Sequence, residues 1–348
     1  MLLRFHTGRK KMSRTIKIAA VQMNAMPAPL EERLARAESL IARCAPEGAQ
    51  LVVLPEVFNI GYEYSDRNYS RAETFDGPTA TWMRKTAAQF SIHLAGTFLR
   101  AAQNDIYNTM LLAAPGGHEW HYDKNYPWFW ERAYFRKGTG ITIADTDLGK
   151  IGLLICWDVA HTDLWQQYAG QVELMLVSSC PPKAFDLDLL FPGDKRIRGR
   201  NMGALVQYIK RSSDETFARY LRRQTTFLGV PLAQATSTGT FTSGFPAPKR
   251  SMAMLALMAP SLWKYVSRAG QARIETDYFN ETYIADGSGT LLERVQPGVE
   301  GYTLSDVTLP DGPPQPVGKQ PAFGIPAIAY LVDGMSNRMF AAEYRKRR

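Results

Sequence analysis

Apolar and polar positions along the chain switch between a period near two and a period near 3.6. Ile16 to Gln22 (Ile-Lys-Ile-Ala-Ala-Val-Gln) predicts a first strand. Leu30 to Ala45 carries Leu34, Ala37, Leu40 and Ile41 at helical spacing. It opens with Glu31 and Glu32, the acidic first turn that a helix dipole favours. Leu51-Val-Val-Leu54 predicts a buried strand, stopped by Pro55 and followed by Glu56. Gly61 to Arg71 reads as a polar loop. Thr79 to Phe90 predicts a helix; Ile92 to Leu99 and Tyr107 to Ala114 predict strands, the latter ending in the turn Pro115-Gly116-Gly117. Ile151-Gly-Leu-Leu-Ile155 is a further buried strand that runs into Cys156-Trp157-Asp158.

The alternation continues beyond that point. Leu164 to Ala169 predicts a short helix, Val172 to Ser179 a core strand, Glu215 to Arg223 a helix and Gly229 to Ala235 a strand. Glu281 to Ala285 and Thr290 to Arg294 flank Asp286-Gly-Ser-Gly289, a hairpin signal. Alternating strands and helices of this kind predict a layered α/β fold.

Composition adds three exclusions. Hydrophobic residues make up 45% of the 348 positions, enough for a sizeable core. The net charge of +8 is concentrated at Arg4, Arg9, Lys10, Lys11 and Arg14, at Arg345 to Arg348, and at Lys195, Arg196, Arg198 and Arg200. No aromatic residues interleave regularly with these clusters, so a solvated basic surface is expected and no nucleic-acid partner. No stretch approaches the roughly 20 apolar residues of a membrane span. Three scattered cysteines, Cys44, Cys156 and Cys180, do not make a disulfide framework and predict a reducing, cytoplasmic location.

Three positions place a reactive side chain where an apolar run ends or a loop begins: Glu56, Lys124 and Cys156. A thiol becomes a nucleophile when a base takes its proton. A carboxylate supplies that base, and an ammonium stabilises the oxyanion that follows. Glu131, seven residues after Lys124, is a candidate second carboxylate or a group that orients the lysine.

Leu51-Val-Val-Leu-Pro-Glu56, then Tyr122-Asp-Lys124 with Trp130-Glu131-Arg132 and Phe135 to Gly138, then Gly149-Lys-Ile-Gly-Leu-Leu-Ile-Cys156-Trp157-Asp158, resemble the nitrilase superfamily of carbon–nitrogen hydrolases in order and spacing. The resemblance covers Ile16 to Ser179 and resumes more loosely at Thr216 to Thr240 and Glu281 to Leu309. It implies an α-β-β-α sandwich that forms four layers across a dimer. It also implies a Glu56–Lys124–Cys156 triad, no metal or other cofactor, and a homodimer or higher homo-oligomer. Asp158, where true nitrilases usually carry glutamate, is similar to the amidase and carbamoylase branches.

The expected organisation is a basic extension over 1–14, a hydrolase domain over 15–310 and a C-terminal tail over 311–348. Two insertions, near 181–214 and 243–280, exceed the compact family pattern and are expected to form a lid, narrow the pocket or build an oligomer contact. Trp128, Trp130, Trp157, Asp158 and His161 are candidate pocket residues. His118 and His121 flank a turn without a third ligand nearby, so no metal is expected there. Cys44 and Cys180 are read as structural, and Met252 to Val266 as a buried or inter-subunit helix. The leading expectation is hydrolysis of an amide or carbamoyl C–N bond through a cysteine thioester. The alternatives are a nitrilase that makes acid and ammonia, and a catalytically silent scaffold of the same fold.

Overall fold

The computed structural model describes residues 14–213, 215–322 and 325–347. Two sheets face each other. In the first, the strands run in the order Ser237–Thr238, Arg14–Asn24, Leu51–Val53, His93–Ala102, Asp105–Ala113 and Glu119–Asp123. Gly301–Leu309 also pairs with Arg14–Asn24, antiparallel over nine residues from Arg14↔Leu309 to Gln22↔Gly301. In the second, the order is Leu291–Arg294, Tyr283–Ala285, Leu232–Ala235, Leu174–Ser178, Gly149–Ile155 and Ile143–Thr146. The central strands of each sheet are parallel, as buried runs without polar alternation require.

The layers follow from which face each strand buries. Ile16, Ile18 and Ala20 pack inward with Leu51, Val53, Leu153 and Leu176, forming the core between the sheets. Ala19, Val21 and Met23 point the other way, against Ala37, Leu40 and Ile41 of helix Leu30–Cys44 and Met83 and Ala87 of helix Pro78–Phe90. Trp165 and Tyr168 of helix Thr162–Tyr168 pack on the second sheet, where a Cβ on Gly152 would collide with Tyr168 and Met175. Helix, sheet, sheet, helix is the expected sandwich.

The predicted strands and helices up to Ser179 form close to their expected limits. Differences fall at the start and beyond Ser179. Arg14, placed at the end of the basic extension, already begins the first strand; the other thirteen residues of that extension lie outside the described residues. The insertions carry strands and helices of their own. In an all-antiparallel four-stranded sheet, Lys195–Ile197 pairs with Asp188–Phe191 of the same insertion, Asp188–Phe191 with Arg273–Asp277 of the second, and Arg273–Asp277 with Thr240–Ser243. The apolar stretch Met252 to Val266 is split between helix Pro248–Met258 and the 3-10 segment Pro260–Gln271, because Pro260 cannot continue the helix. The C-terminal tail holds a 21-residue helix, Ala327–Arg347. Among the described residues no helix is long and apolar enough to cross a membrane.

Candidate active site

Four strand ends converge at one rim. Leu54 extends from the Leu51–Val53 strand, and its carbonyl accepts a hydrogen bond from Ser178 Oγ (2.8 Å) of the opposite sheet. The Glu56 amide donates to Ser179 O (3.3 Å). The next residue, Val57, has φ 50°, unusual for a β-branched side chain, and its amide donates to Thr97 Oγ1 (2.6 Å). Lys124 leaves the Glu119–Asp123 strand with its amide donating to Asn108 O (2.9 Å) and its carbonyl accepting Gly138 N–H (2.7 Å). A Cβ at Gly138 would collide with the Asp123 carbonyl, so this approach needs glycine.

Cys156 follows the Gly149–Ile155 strand with φ 49°. A non-glycine residue there is strained and persists only where its surroundings hold it. Asp158 does the holding. Its Oδ2 accepts from the Ile155 amide (3.2 Å) and from Tyr122 Oη (2.8 Å), and its Oδ1 from the Tyr126 amide (2.7 Å). One carboxyl group thus ties the cysteine turn to the segment around Lys124. Burial pushes Asp158 up to about 7, opposed by Lys124 and these hydrogen bonds.

The buried charges form one cluster. Lys124 Nζ donates to Glu56 Oε1 (2.8 Å) and to Glu131 Oε1 and Oε2 (2.9 and 2.7 Å). Glu56 Oε1 also accepts Asn108 Nδ2 (2.7 Å), and its Oε2 accepts the Cys180 amide (2.8 Å). Glu131 is pinned by Tyr62 Oη (2.5 Å) and the Trp128 amide (2.6 Å). Lys124, Glu56 and Glu131 are at most 1% exposed. Burial alone pulls the Lys124 ammonium down, but Glu131 and Glu56 outweigh it and hold it well above the usual lysine range. Burial raises Glu131, with Lys124 opposing and Glu56 adding.

Cys156 responds to the same charges. Burial pushes its thiol well above the ordinary range; Glu56 and Glu131 add to this, and Lys124 and the Cys180 amide oppose it. Two carboxylates against one ammonium leave a negative balance, so the resting sulfur is a neutral thiol. Its alkylation by iodoacetamide should therefore rise about tenfold per pH unit between pH 6 and 8. A rate that is flat over that interval would reveal a preformed thiolate and contradict the electrostatics.

A cavity of about 470 Å³, mouth included, opens on Cys156. Its walls include Tyr62, Trp128, Glu131, Trp157, Pro181, Phe185, Thr216, Phe217 and Phe279. Trp157 Nε1 and Thr216 Oγ1 are buried without a protein partner. Such orphan groups call for an explanation, and a ligand is one. Of the five candidate pocket residues, Trp128 and Trp157 line this cavity. Trp130 does not; it donates Nε1–H to Ser251 Oγ (3.0 Å) and stacks on Phe245 at 5.6 Å. Asp158 is fully buried behind the cysteine turn, and His161 stacks on Tyr126 at 3.5 Å, so neither reaches the cavity. Burial lowers His161 to about 4, with Asp333 and Asp163 opposing, which keeps its ring neutral. His118 and His121 are exposed, and no group of described residues is arranged to hold a metal ion.

Several site residues escaped sequence reasoning. Asn108 sits mid-strand, Tyr62 in a loop, and Cys180 contributes its backbone amide. None carries a local signal, since each acts through a partner 52 to 124 residues away. The C-terminal helix was missed too. Asp333 accepts Phe129 N–H (2.9 Å) and Arg132 Nη1 and Nη2 (2.7 and 2.6 Å), clamping the Phe129–Ala133 turn that carries Glu131. Removing one partner of a buried pair strands the other charge. Asp333→Ala should therefore cost about 3–5 kcal/mol of stability. Urea denaturation measures this, and an unchanged midpoint would contradict it.

Residues 17–189 match the model of the family described as carbon–nitrogen hydrolase. A nitrilase of Pyrococcus abyssi is 30% identical over 147 residues, which is 41% of this chain and 56% of that protein. An N-carbamoylputrescine amidase of Solanum lycopersicum is 29% identical over 157 residues, 42% of this chain and 52% of that protein. The chain spans about half the length of the curated relatives it matches. Among solved structures, a mutant of the Nesterenkonia AN1 amidase from the nitrilase superfamily superposes with TM-score 0.61 at 18% identity, covering 84% of this chain and 90% of that one. A CN-hydrolase superfamily protein of Xanthomonas campestris gives 0.59 at 16%, covering 85% and 91%. At these identities the structural likeness speaks for the fold.

Proposed function

We propose that this chain, whose residues 17–189 match the carbon–nitrogen hydrolase family, is a member of the nitrilase superfamily and hydrolyses a non-peptide amide C–N bond by way of a thioester on Cys156. The observation that carries the proposal is the buried cluster itself. A lysine shared by two carboxylates stands beside a thiol that burial and charge keep protonated.

The residues divide the work by chemistry. Glu56 takes the thiol proton as sulfur attacks the carbonyl carbon, because a neutral thiol needs a base at that moment. Lys124 stabilises the oxygen that becomes negative. Glu131 grips the lysine with both oxygens and is fixed by Tyr62 and Trp128, so the ammonium is oriented before substrate arrives. Protonated Glu56 returns its proton to the leaving nitrogen, releasing ammonia or an amine. Water then attacks the thioester; Glu56 takes its proton, and the thiol leaves reprotonated with the free acid.

Two features favour an amide over a nitrile. The unpartnered Thr216 hydroxyl lines the cavity and can accept an amide N–H, which a nitrile does not offer. Asp158 matches the amidase and carbamoylase branches at its position, although its carboxyl group shapes the cysteine turn instead of meeting substrate. Ammonia release from butyramide and butyronitrile tests the choice. The amide should turn over at least about a hundredfold faster, a ratio set by hydrogen bonds that only one of them makes; faster nitrile hydrolysis would shift the activity to that of a nitrilase. The same reading includes three buried free thiols suited to a reducing cytoplasm, a hydrolase domain over 15–310 and a homo-oligomeric assembly.

A further inference from the structure

A second cavity adjoins the first. It encloses about 620 Å³, mouth included. Trp128, Ala184 and Phe185 wall both cavities. Phe129 and Trp130 add part of its wall, and the rest of its lining comes from the two insertions and the C-terminal helix. Met202 and Val206 belong to the first insertion, Leu255 and Met258 to the second, and Ala329 and Val332 to the C-terminal helix. These segments are therefore not independent decorations. They close around one apolar chamber next to the reactive thiol.

The chamber also lacks a charge that a ligand can use. Asp333 is the one ionisable side chain in its lining, and both its carboxylate oxygens already accept from Arg132 at 2.7 and 2.6 Å. In the neighbouring cavity the ionisable side chains besides the thiol are Tyr62 and Glu131; the Tyr62 hydroxyl donates to Glu131, whose oxygens are also taken by Lys124 and the Trp128 amide. A substrate carrying an ammonium or carboxylate at its far end would surrender hydration and meet in the chamber only the Asp333–Arg132 pair, whose hydrogen bonds are already made. An alkyl chain loses nothing there, and each buried methylene favours binding by about fourfold.

We propose that the two insertions and the C-terminal helix build a specificity chamber for the uncharged apolar tail of the substrate, so that the preferred amides are neutral and carry an alkyl or aryl group several carbons long. The polar reacting end stays at Cys156, where Trp157 Nε1 and Thr216 Oγ1 are unpartnered. The tail extends past Ala184 and Phe185. The proposal rests on the hydrolase reading and names the substrate class for that site.

The test compares hexanamide with its ω-amino and ω-carboxy analogues, which match it in length. Hexanamide should show a kcat/KM at least about tenfold higher than either charged analogue. Equal or reversed preference would overturn the chamber. Val206→Phe and Ala329→Leu fill the space from opposite walls. Each should lower the ratio of kcat/KM for hexanamide to that for propionamide by about tenfold, and an unchanged ratio in both variants would overturn the proposal. If no amide turns over at all, the hydrolase reading fails but the chamber is still tested. Titration of Cys156→Ala protein with the three hexanamides, followed by tryptophan fluorescence, should show binding of the neutral compound and not of the charged ones. Equal binding of all three, or of none, would overturn it.

Discussion

Cys156→Ala is expected to abolish ammonia release from a neutral amide, a loss on the order of 10⁴-fold or more, because no other described group is placed to make the covalent bond. Cys44 ends helix Leu30–Cys44 and is buried between it and the first sheet, and burial pushes it up to about 12. Cys180 contacts the site through its amide, and its thiol too is raised by burial, with Glu56 adding. The folded state should tolerate the change. Removing a thiol whose proton never leaves in the resting protein takes away no charge, and the αL turn is still held by Asp158 through Ile155, Tyr122 and Tyr126. The variant should therefore keep the circular dichroism spectrum and denaturation midpoint of the parent. Retained turnover in a folded variant would overturn the nucleophile assignment.

Lys124→Met should damage both activity and stability. The side chain is fully buried and bridges Glu56 and Glu131. Without the ammonium two carboxylates face each other out of water, and breaking a buried ion pair in this way costs about 3–5 kcal/mol. The oxyanion loses its charged donor as well, which lowers kcat by a further factor on the order of 10²–10³. The sign of the pH dependence follows. In the variant, the buried carboxylates have pKa values raised above those of the unfolded chain, so folding retains protons that unfolding releases. The destabilisation should be small below the ordinary carboxylate range and grow as pH rises through it. Urea denaturation at pH 4 and pH 8 measures this, and equal losses at both pH values would contradict the buried-charge account.

How much of this was legible in the sequence depended on the range of the signal. Leu51 to Leu54 and Ile151 to Ile155 announced buried strands because both faces are covered, and their ends placed Glu56 and Cys156 at a rim. Asp188–Phe191 and Arg273–Asp277 were not legible as a sheet, since strands this short acquire their register only from partners distant in sequence. Helix Ala327–Arg347 has its buried side defined by Phe129, which meets Phe340, and by Arg132, which pairs with Asp333, about two hundred residues away. Asp158 shows the opposite case. Its position was informative, but its role came only with coordinates, where it turns from the cavity to the backbone of the cysteine turn. The orphan Thr216 hydroxyl likewise carries no sequence signal, because an unmet hydrogen bond exists only after packing removes water.

The most direct test of the central claim is to quench a propionamide reaction in acid at steady state, digest the protein and locate the acyl group by mass spectrometry. The account predicts one propionyl group, as a thioester, on the peptide containing Cys156 and none on those containing Cys44 or Cys180. Steady ammonia release with no acyl group on Cys156, or with the acyl group on another residue, would contradict it.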